Sequence, residues 1–361
     1  MGIFSVIKKL FSKKVSSNME AEIFEQPDVV RKLLKKYVSK DGEILIDLPE
    51  NFSRVALIAS GSSYHSAAIA ANFLRSYVNC DAQAYYSSEF SLFENVNIDE
   101  NTLYIFLSQS GETSDTNKSL NIVRAKTTKT MAMVNTKDST LYNNAKYKIL
   151  NYAGVEKSIA STKAVCAQIF CLLLIAVKIM QQKDMPVDTI LKQLHDIPVV
   201  IGDALNKEDK IQAFAKKLMQ YDNAAVLASG VFYPLSKECA LKIKETSYIN
   251  TTAYPTGEFL HGHIAILNKK CAVIAIVNNV NVDFTINVLD KINNEYDTDV
   301  LVISAFNLNI KNSQNVICVN EYSDIEFLFS SLIILQLLAL KNATLLNRNV
   351  DAPTGLCKVV K

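Results

Sequence analysis

Apolar residues in this chain fall into short unbroken runs, separated by longer stretches in which they recur at helical spacing. The first half reads as a strand at 55–60, a helical stretch at 63–77, a strand at 102–107 and a helical stretch at 115–125. A strand at 129–134 and an apolar helix at 161–181 follow. The second half repeats the pattern, with strands near 224–228, 271–277 and 299–303. Strands alternating with helices predict parallel sheets covered by helices on both faces.

The repetition extends to sequence. Val55–Gly61 reads VALIASG and Ala224–Gly230 reads AAVLASG, 169 positions later. The same offset places Thr130–Val134 on Asp299–Ile303, two further apolar runs. A duplicated module accounts for both matches. The expected architecture is α/β: two tandem doubly wound parallel-sheet domains at 21–195 and 196–345, joined through roughly 182–210, with a carboxyl-terminal tail at 346–361. Residues Asp188–Asp196 are expected to lie in a connecting helix.

Residues 1–20 form a separate basic extension. Lys8, Lys9, Lys13 and Lys14 alternate with Ile3, Phe4, Ile7, Leu10 and Phe11, so a helix there would be amphipathic. The preferred reading is a short extension packing on its own domain; a helix lying on a membrane surface is the alternative. No apolar core of a secretory signal follows the lysines, and Val6 breaks the myristoylation pattern.

Composition narrows the classes. The chain has 361 residues with 49% apolar and 20% charged residues, within the range of globular enzymes. With 38 basic and 36 acidic side chains there is no strong field to favour nucleic acid. The longest uncharged apolar-rich runs, Ala164–Val177 and Phe327–Leu340, are about 14 residues and read as buried helices rather than membrane spans. Seven cysteines without a CxxC pair indicate reduced thiols and a cytoplasmic protein. His261 and His263 lack the companions of a zinc site, so neither a metal nor another cofactor is expected.

In open parallel sheets, ligands collect beyond the carboxyl ends of the strands. There the first module carries Ser60-Gly61-Ser62-Ser63 and Ser108-Gln109-Ser110-Gly111-Glu112-Thr113. Hydroxyls and backbone amides at a helix start suit a phosphate monoester without a lysine, although such serines are often only helix caps. Ser161 or Thr162 caps the following apolar helix or contacts a ligand. In the second module Glu238, Lys242 and Glu245 share one helix face, which ordinarily is a solvated salt-bridge face. The segment 256–263 is a loop with two glycines around His261, and the tail 351–361 reads as frayed.

Together the segments EIFEQP (22–27), IASGSSYHSA (58–67), SQSGETSDT (108–116), ASTKA (160–164), KECALKIKETSYI (237–249), GEFLHG (257–262) and DAPTGLCKVV (351–360) resemble the isomerase half of glucosamine-6-phosphate synthase and related proteins with tandem sugar isomerase domains. The resemblance implies a flavodoxin-like fold for both modules. It places Ser60, Gly61, Ser62, Ser63, Ser108, Gln109, Ser110 and Thr113 around the sugar phosphate, with Ile159, Ser161 and Glu238 also in the substrate site. It makes Glu245 the base that moves a proton between C1 and C2, with Lys242 beside it. His261 becomes the ring-opening group and Lys358 the amine that forms an imine with a ketose.

The family's HGP is His261-Gly262-His263 here, and its tail Pro-Arg-Asn-Leu is Pro353-Thr354-Gly355-Leu356. The chain begins Met1-Gly2 rather than Met-Cys-Gly, so no glutaminase activity is expected of it. The expected function is a cofactor-free enzyme interconverting a ketose 6-phosphate and an amino sugar 6-phosphate, as glucosamine-6-phosphate deaminase or ammonia-dependent synthase. A fructosamine-6-phosphate deglycase is the alternative enzyme, and a non-catalytic sugar-phosphate sensor the alternative of another class. The expected partners are a sugar 6-phosphate and a second copy of the chain sharing its active sites, the family's histidine reaching into the neighbouring subunit. Association with a separate glutaminase subunit stays open without being indicated.

Overall fold

The computed structural model describes residues 16–95, 97–268, 270–280, 282–308, 315–319 and 323–358. The lysine-rich segment 1–15 therefore lies outside the described residues. The chain divides into two compact units. Among the described residues, one takes in 16–27, Lys157–Thr162 and Asp196–Leu356; the other comprises Asp28–Glu156, Lys163–His195 and 357–358.

Each unit holds one parallel sheet of five strands. In the second-named unit these are β1 (Arg54–Ala59), β2 (Asp81–Tyr86), β3 (Thr102–Ser108), β4 (Thr130–Val134) and β5 (Tyr147–Leu150), in the order β2-β1-β3-β4-β5. In the other they are β6 (Asn223–Ala228), β7 (Asn250–Pro255), β8 (Cys271–Val277), β9 (Val300–Ser304) and β10 (Val316–Cys318), in the order β10-β9-β8-β6-β7. Read from β7, the second order repeats the first. Register repeats as well: Arg54 pairs with Thr102 at the start of β1 and β3, and Asn223 with Cys271 at the start of β6 and β8.

The six expected strands are the three central strands of each sheet. β3, β4, β8 and β9 are buried along their whole length, because helices cover both faces of a parallel sheet and every position faces apolar neighbours. The four strands not expected, β2, β5, β7 and β10, are the four edge strands. β2 reads DAQAYY and β7 reads NTTAYP, each with exposed and buried positions mixed. A sheet edge meets solvent, so no continuous apolar run marks it.

The apolar helices extend further than their uncharged runs. Lys163–Gln182 and Asp324–Leu345 are 20 and 22 residues long and sufficiently apolar to cross a membrane; 89% and 83% of their most apolar windows are buried inside the protein. They are core helices. Ser323 and Glu326 close a reciprocal capping box at the start of the second. A helix at Asp188–Leu205, with Pro198 inside it, occupies the expected connecting region.

Candidate active site

The first hydroxyl-rich loop follows β1. Ser60 is extended (φ −128°, ψ 153°) and Gly61 is left-handed (φ 56°), turning the chain abruptly into the Gly61–Tyr77 helix. Ser60 precedes that helix yet makes no side-chain cap hydrogen bond, so its hydroxyl is not consumed as a cap. Ser63 Oγ accepts from Gln168 Nε2 at 2.9 Å, which fixes one hydroxyl of the loop.

The second loop, after β3, is internally hydrogen-bonded. Ser108 Oγ lies 2.9 Å from Thr113 Oγ1 and 3.5 Å from Ser110 Oγ, and accepts from the Gly111 amide at 3.0 Å. Ser110 Oγ accepts from the Glu112 amide at 3.1 Å. Gly111 has φ 72°, and a Cβ there would lie 2.0 Å from Ser139 Oγ. Only glycine fits this turn, for reasons of both torsion and space. β1 and β3 are adjacent in the order β2-β1-β3-β4-β5, so the two loops leave the sheet at its topological switch point. Two helix starts and the hydroxyls of the two loops at that point offer the kinds of donor an anion requires.

The other unit carries charged groups on the Tyr233–Ser247 helix. Lys242 Nζ is 2.5 Å from Glu245 Oε2 and 3.5 Å from Glu238 Oε1. The side chains of Glu238 and Lys242 are each 1% exposed and that of Glu245 is 21% exposed. The solvated salt-bridge face ordinarily expected of such spacing is therefore not what forms. Burying charges is expensive unless they are paired, and here the lysine bridges two carboxylates. Of the three, Glu245 alone retains substantial solvent access. Beside them, burial lowers the Lys237 amine below its ordinary value, with the Tyr233 ring 4.7 Å from its Nζ.

Ile159 and Ser161 belong to this same unit. Their segment is held by Glu22, whose carboxylate accepts from the Lys157 and Ser158 amides and from Ser158 Oγ. Gln26 donates to Gln336 Oε1 at 2.7 Å, and Gln336 in turn donates to the Thr162 carbonyl at 3.2 Å. Glu22 and Gln26 lie in the EIFEQP motif, so that motif braces the ligand-loop candidate. No periodicity or spacing disclosed that role.

His261 lies on an exposed turn after β7. The segment around it does not leave its module: Phe259 is fully buried in the core around β8, with Leu260, Ile264 and Ile266 packed against the same cluster. Apolar residues on both sides of His261-Gly262-His263 pin the turn down and leave its tip outside. Gly262 has φ 103° and the His263 ring lies 4.5 Å from that of Tyr254.

The described part of the tail, 351–358, is anchored rather than frayed. Asp351 accepts from the Asn18 and Met19 amides at 2.9 and 2.8 Å, and its carbonyl accepts from the Ile159 amide at 2.9 Å. The Thr354 amide donates to the Tyr248 hydroxyl at 2.7 Å, a contact that pulls this phenol below its usual range. Lys358 Nζ lies 2.7 Å from Glu156 Oε2. Glu156 also accepts from the Ala164 amide at 3.1 Å, so it satisfies the helix start at which Ser161 or Thr162 was expected as cap. Burial raises the thiols of Cys166, Cys171 and Cys239 well above their ordinary value, and that of Cys271 to about 11. Among the described residues, no three His, Cys, Asp or Glu side chains are placed to hold a metal ion.

Comparison with known proteins agrees with the fold. The SIS domain model matches residues 50–178 and again 217–346. The chain is 33% identical over 349 residues to the isomerizing glutamine–fructose-6-phosphate aminotransferase of Campylobacter jejuni, covering 95% of this chain and 58% of that protein. It is 30% identical over 355 residues to the Chlorobaculum tepidum enzyme of the same name, with the same two coverages. It thus spans 58% of the length of these curated relatives. Among solved structures, the C-terminal domain of glucosamine-fructose-6-phosphate aminotransferase from Francisella tularensis superposes with a TM-score of 0.89 at 27% identity, covering 94% of this chain and 99% of that one. Glucosamine-6-phosphate deaminase from Thermotoga maritima shares the fold, with a TM-score of 0.76 at 18% identity over 95% of this chain and 99% of that one. With the duplicated sheets and both domain matches in agreement, the chain belongs to the SIS domain family and carries two such domains in tandem.

Proposed function

We propose that this chain is a phosphosugar aldose–ketose isomerase-type enzyme that interconverts a ketose 6-phosphate and an amino sugar 6-phosphate. The observation that carries the reading is the Glu238–Lys242–Glu245 array, two buried members holding a third that keeps access to solvent. Moving a proton between C1 and C2 needs a carboxylate that can take it and return it. Glu245 is that base, and Lys242 fixes its carboxylate. The hydroxyls of Ser62, Ser63, Ser108, Ser110 and Thr113, with the amides of their loops, hold the 6-phosphate. Ile159 and Ser161 line the sugar. His261 opens the sugar ring, because an imidazole exchanges protons near neutrality. Lys358 adds to the open-chain ketose carbonyl as a primary amine, losing water to give an imine.

The relatives' names support this chemistry: the Campylobacter jejuni protein is named an isomerizing glutamine–fructose-6-phosphate aminotransferase, and the Francisella tularensis structure a glucosamine-fructose-6-phosphate aminotransferase domain. The exposed position of His261 on a pinned turn supports a homodimer with shared sites, in which that tip serves the partner's site.

The test is incubation of the chain with glucosamine 6-phosphate, with fructose 6-phosphate plus ammonium or glutamine, and with fructosamine 6-phosphates, followed by ammonia release and product mass. Turnover between fructose 6-phosphate and glucosamine 6-phosphate is the expected result. Cleavage of fructosamine 6-phosphates alone would make it a deglycase. Tight binding across the panel without any product would overturn the enzymatic reading in favour of a sensor.

A further inference from the structure

The tail lysine is held by a residue to which no role has been assigned. Glu156 follows β5 in a loop that turns outward at Gly154 (φ 75°) and Val155, the latter 78% exposed, and then turns in again. The Glu156 side chain is 0% exposed. Its two oxygens face different donors: one accepts from the Ala164 amide at 3.1 Å, the other lies 2.7 Å from Lys358 Nζ. Ala164 is in the first turn of the Lys163–Gln182 helix, so the carboxylate sits at that helix's positive end. A buried carboxylate needs such partners, and an ammonium opposite a carboxylate makes a strong, short contact.

The loop is tied to the hydroxyl-rich turn. Asn135 Nδ2 donates to the Gly154 carbonyl at 2.7 Å, and the Asn135 amide donates to the Gln109 carbonyl at 3.1 Å. A run of hydrogen bonds thus connects the Ser108–Thr113 loop with the segment carrying Glu156. The tail lacks the arginine of the Pro-Arg-Asn-Leu pattern, with Thr354 in its place. The Lys358–Glu156 pair joins residues 202 positions apart and fixes the tail at the lysine itself.

We propose that Glu156 is the positioning residue that docks Lys358, holding the tail amine in place against the loop that is tied to Gln109. This rests on the reading of Lys358 as the imine-forming amine, and it adds the group that makes a residue near the chain end a fixed one. Glu156 forms no bond to the sugar. Its contribution is to remove the conformational freedom of a lysine on a tail, as positioning does for any reacting group.

Three readouts on the full chain test it. Fructose 6-phosphate with borohydride should leave a reduced adduct on the Lys358 peptide of the wild type, and Glu156→Gln should lower its yield about 10- to 100-fold. Glu156→Asp, which keeps the charge, should recover part of that loss. Sorbitol 6-phosphate, which has no carbonyl, should bind the wild type and Glu156→Gln within roughly threefold of each other, since positioning rather than phosphate binding is lost. Hydrogen exchange of the peptide spanning residues 350–361 should accelerate in Glu156→Gln and in Lys358→Met. The double variant should exchange no faster than either, because both substitutions break one contact. Equal trapping by wild type and Glu156→Gln overturns the proposal and leaves the proposed function standing. Absence of any wild-type adduct, in a chain that turns phosphosugar over, removes the imine from the mechanism. Docking is then decided by exchange alone: acceleration supports it, and an unchanged rate refutes it. Additive exchange in the double variant likewise refutes it, since Glu156 would then stabilise the helix start and not the tail.

Discussion

The two modules begin the turns after β1 and β6 with the same backbone and finish them with different chemistry. Ser60 and Ser229 are extended at φ −128° and −126°, and Gly61 and Gly230 follow at φ 56° and 58°. The next residues diverge. Ser62 and Ser63 are partly exposed, whereas Phe232 is buried against Phe327 with ring centroids 5.0 Å apart. At the end of the neighbouring strand, one module has Ser108-Gln109-Ser110 and the other Val277-Asn278-Asn279. The helix following the turn has Arg75 as its one Asp, Glu, Lys or Arg in one module, and in the other carries Glu238, Lys242 and Glu245 among five such side chains. Duplication supplies a sheet whose strand ends are natural ligand sites; each copy's side chains then set what is done there. One copy has neutral hydroxyls and amides suited to an anion. The other has a paired-charge array suited to proton transfer.

The comparison breaks most sharply at Glu245. Glu245→Gln should lower turnover by roughly 10²- to 10⁴-fold while leaving sorbitol 6-phosphate binding within a few-fold, as loss of a positioned base does. Steady-state rates and calorimetry separate the two effects. A variant retaining turnover would move the proton-transfer role out of this module.

Next in size is the array's dependence on its lysine. Lys242→Met leaves Glu238 buried without its ammonium, and a broken buried pair typically costs about 3–5 kcal/mol. Denaturant unfolding should show that loss. By contrast, Ser108→Ala removes hydroxyl contacts and should cost about 1 kcal/mol. Equal destabilisation by both would contradict the distinction between a charged and a neutral module.

The matched glycines give a smaller and more discriminating effect. Apart from its own chain neighbours and local helix backbone, nothing lies within 4 Å of a Cβ built at Gly61 or at Gly230. Substitution by alanine should therefore cost only the left-handed torsion, roughly 1–2 kcal/mol at either position. Stability should fall alike in the two variants, yet sorbitol 6-phosphate binding should weaken only for Gly61→Ala. Equal weakening would mean that both turns hold phosphate.

The smallest expected signal concerns assembly. Glu245→Gln and His261→Ala homodimers should each be nearly inactive. After verified subunit exchange, half the dimers are hybrids with one intact site, so activity should return to about a quarter of wild type. No recovery would place His261 in its own chain's site.

How much of this was legible depends on where each residue draws its partners. The central strands were readable because burial on both faces demands an unbroken apolar run. The edge strands were not, because DAQAYY and NTTAYP satisfy one sheet neighbour and solvent at once. Glu245, His261 and Lys358 were singled out through motifs matching a family, whereas helical spacing alone favoured an exposed ion-pair face at 238–245. Glu156 had no such sign, and Glu22 lay in a matching motif to which no role was attached. Their partners are 202 and 136 positions distant, at Lys358 and Ser158, and no local pattern encodes such pairing.

By itself, then, the amino-acid order determined the alternation of strand and helix, the duplication and the hydroxyl-rich loops, because backbone geometry and burial leave their periods in local sequence. Tertiary structure decided which charges are buried and which carboxylate stays open. It also decided which loop is pinned by Phe259 and whether the tail is held. Those outcomes depend on what is packed against each group, and that is settled only when distant segments meet.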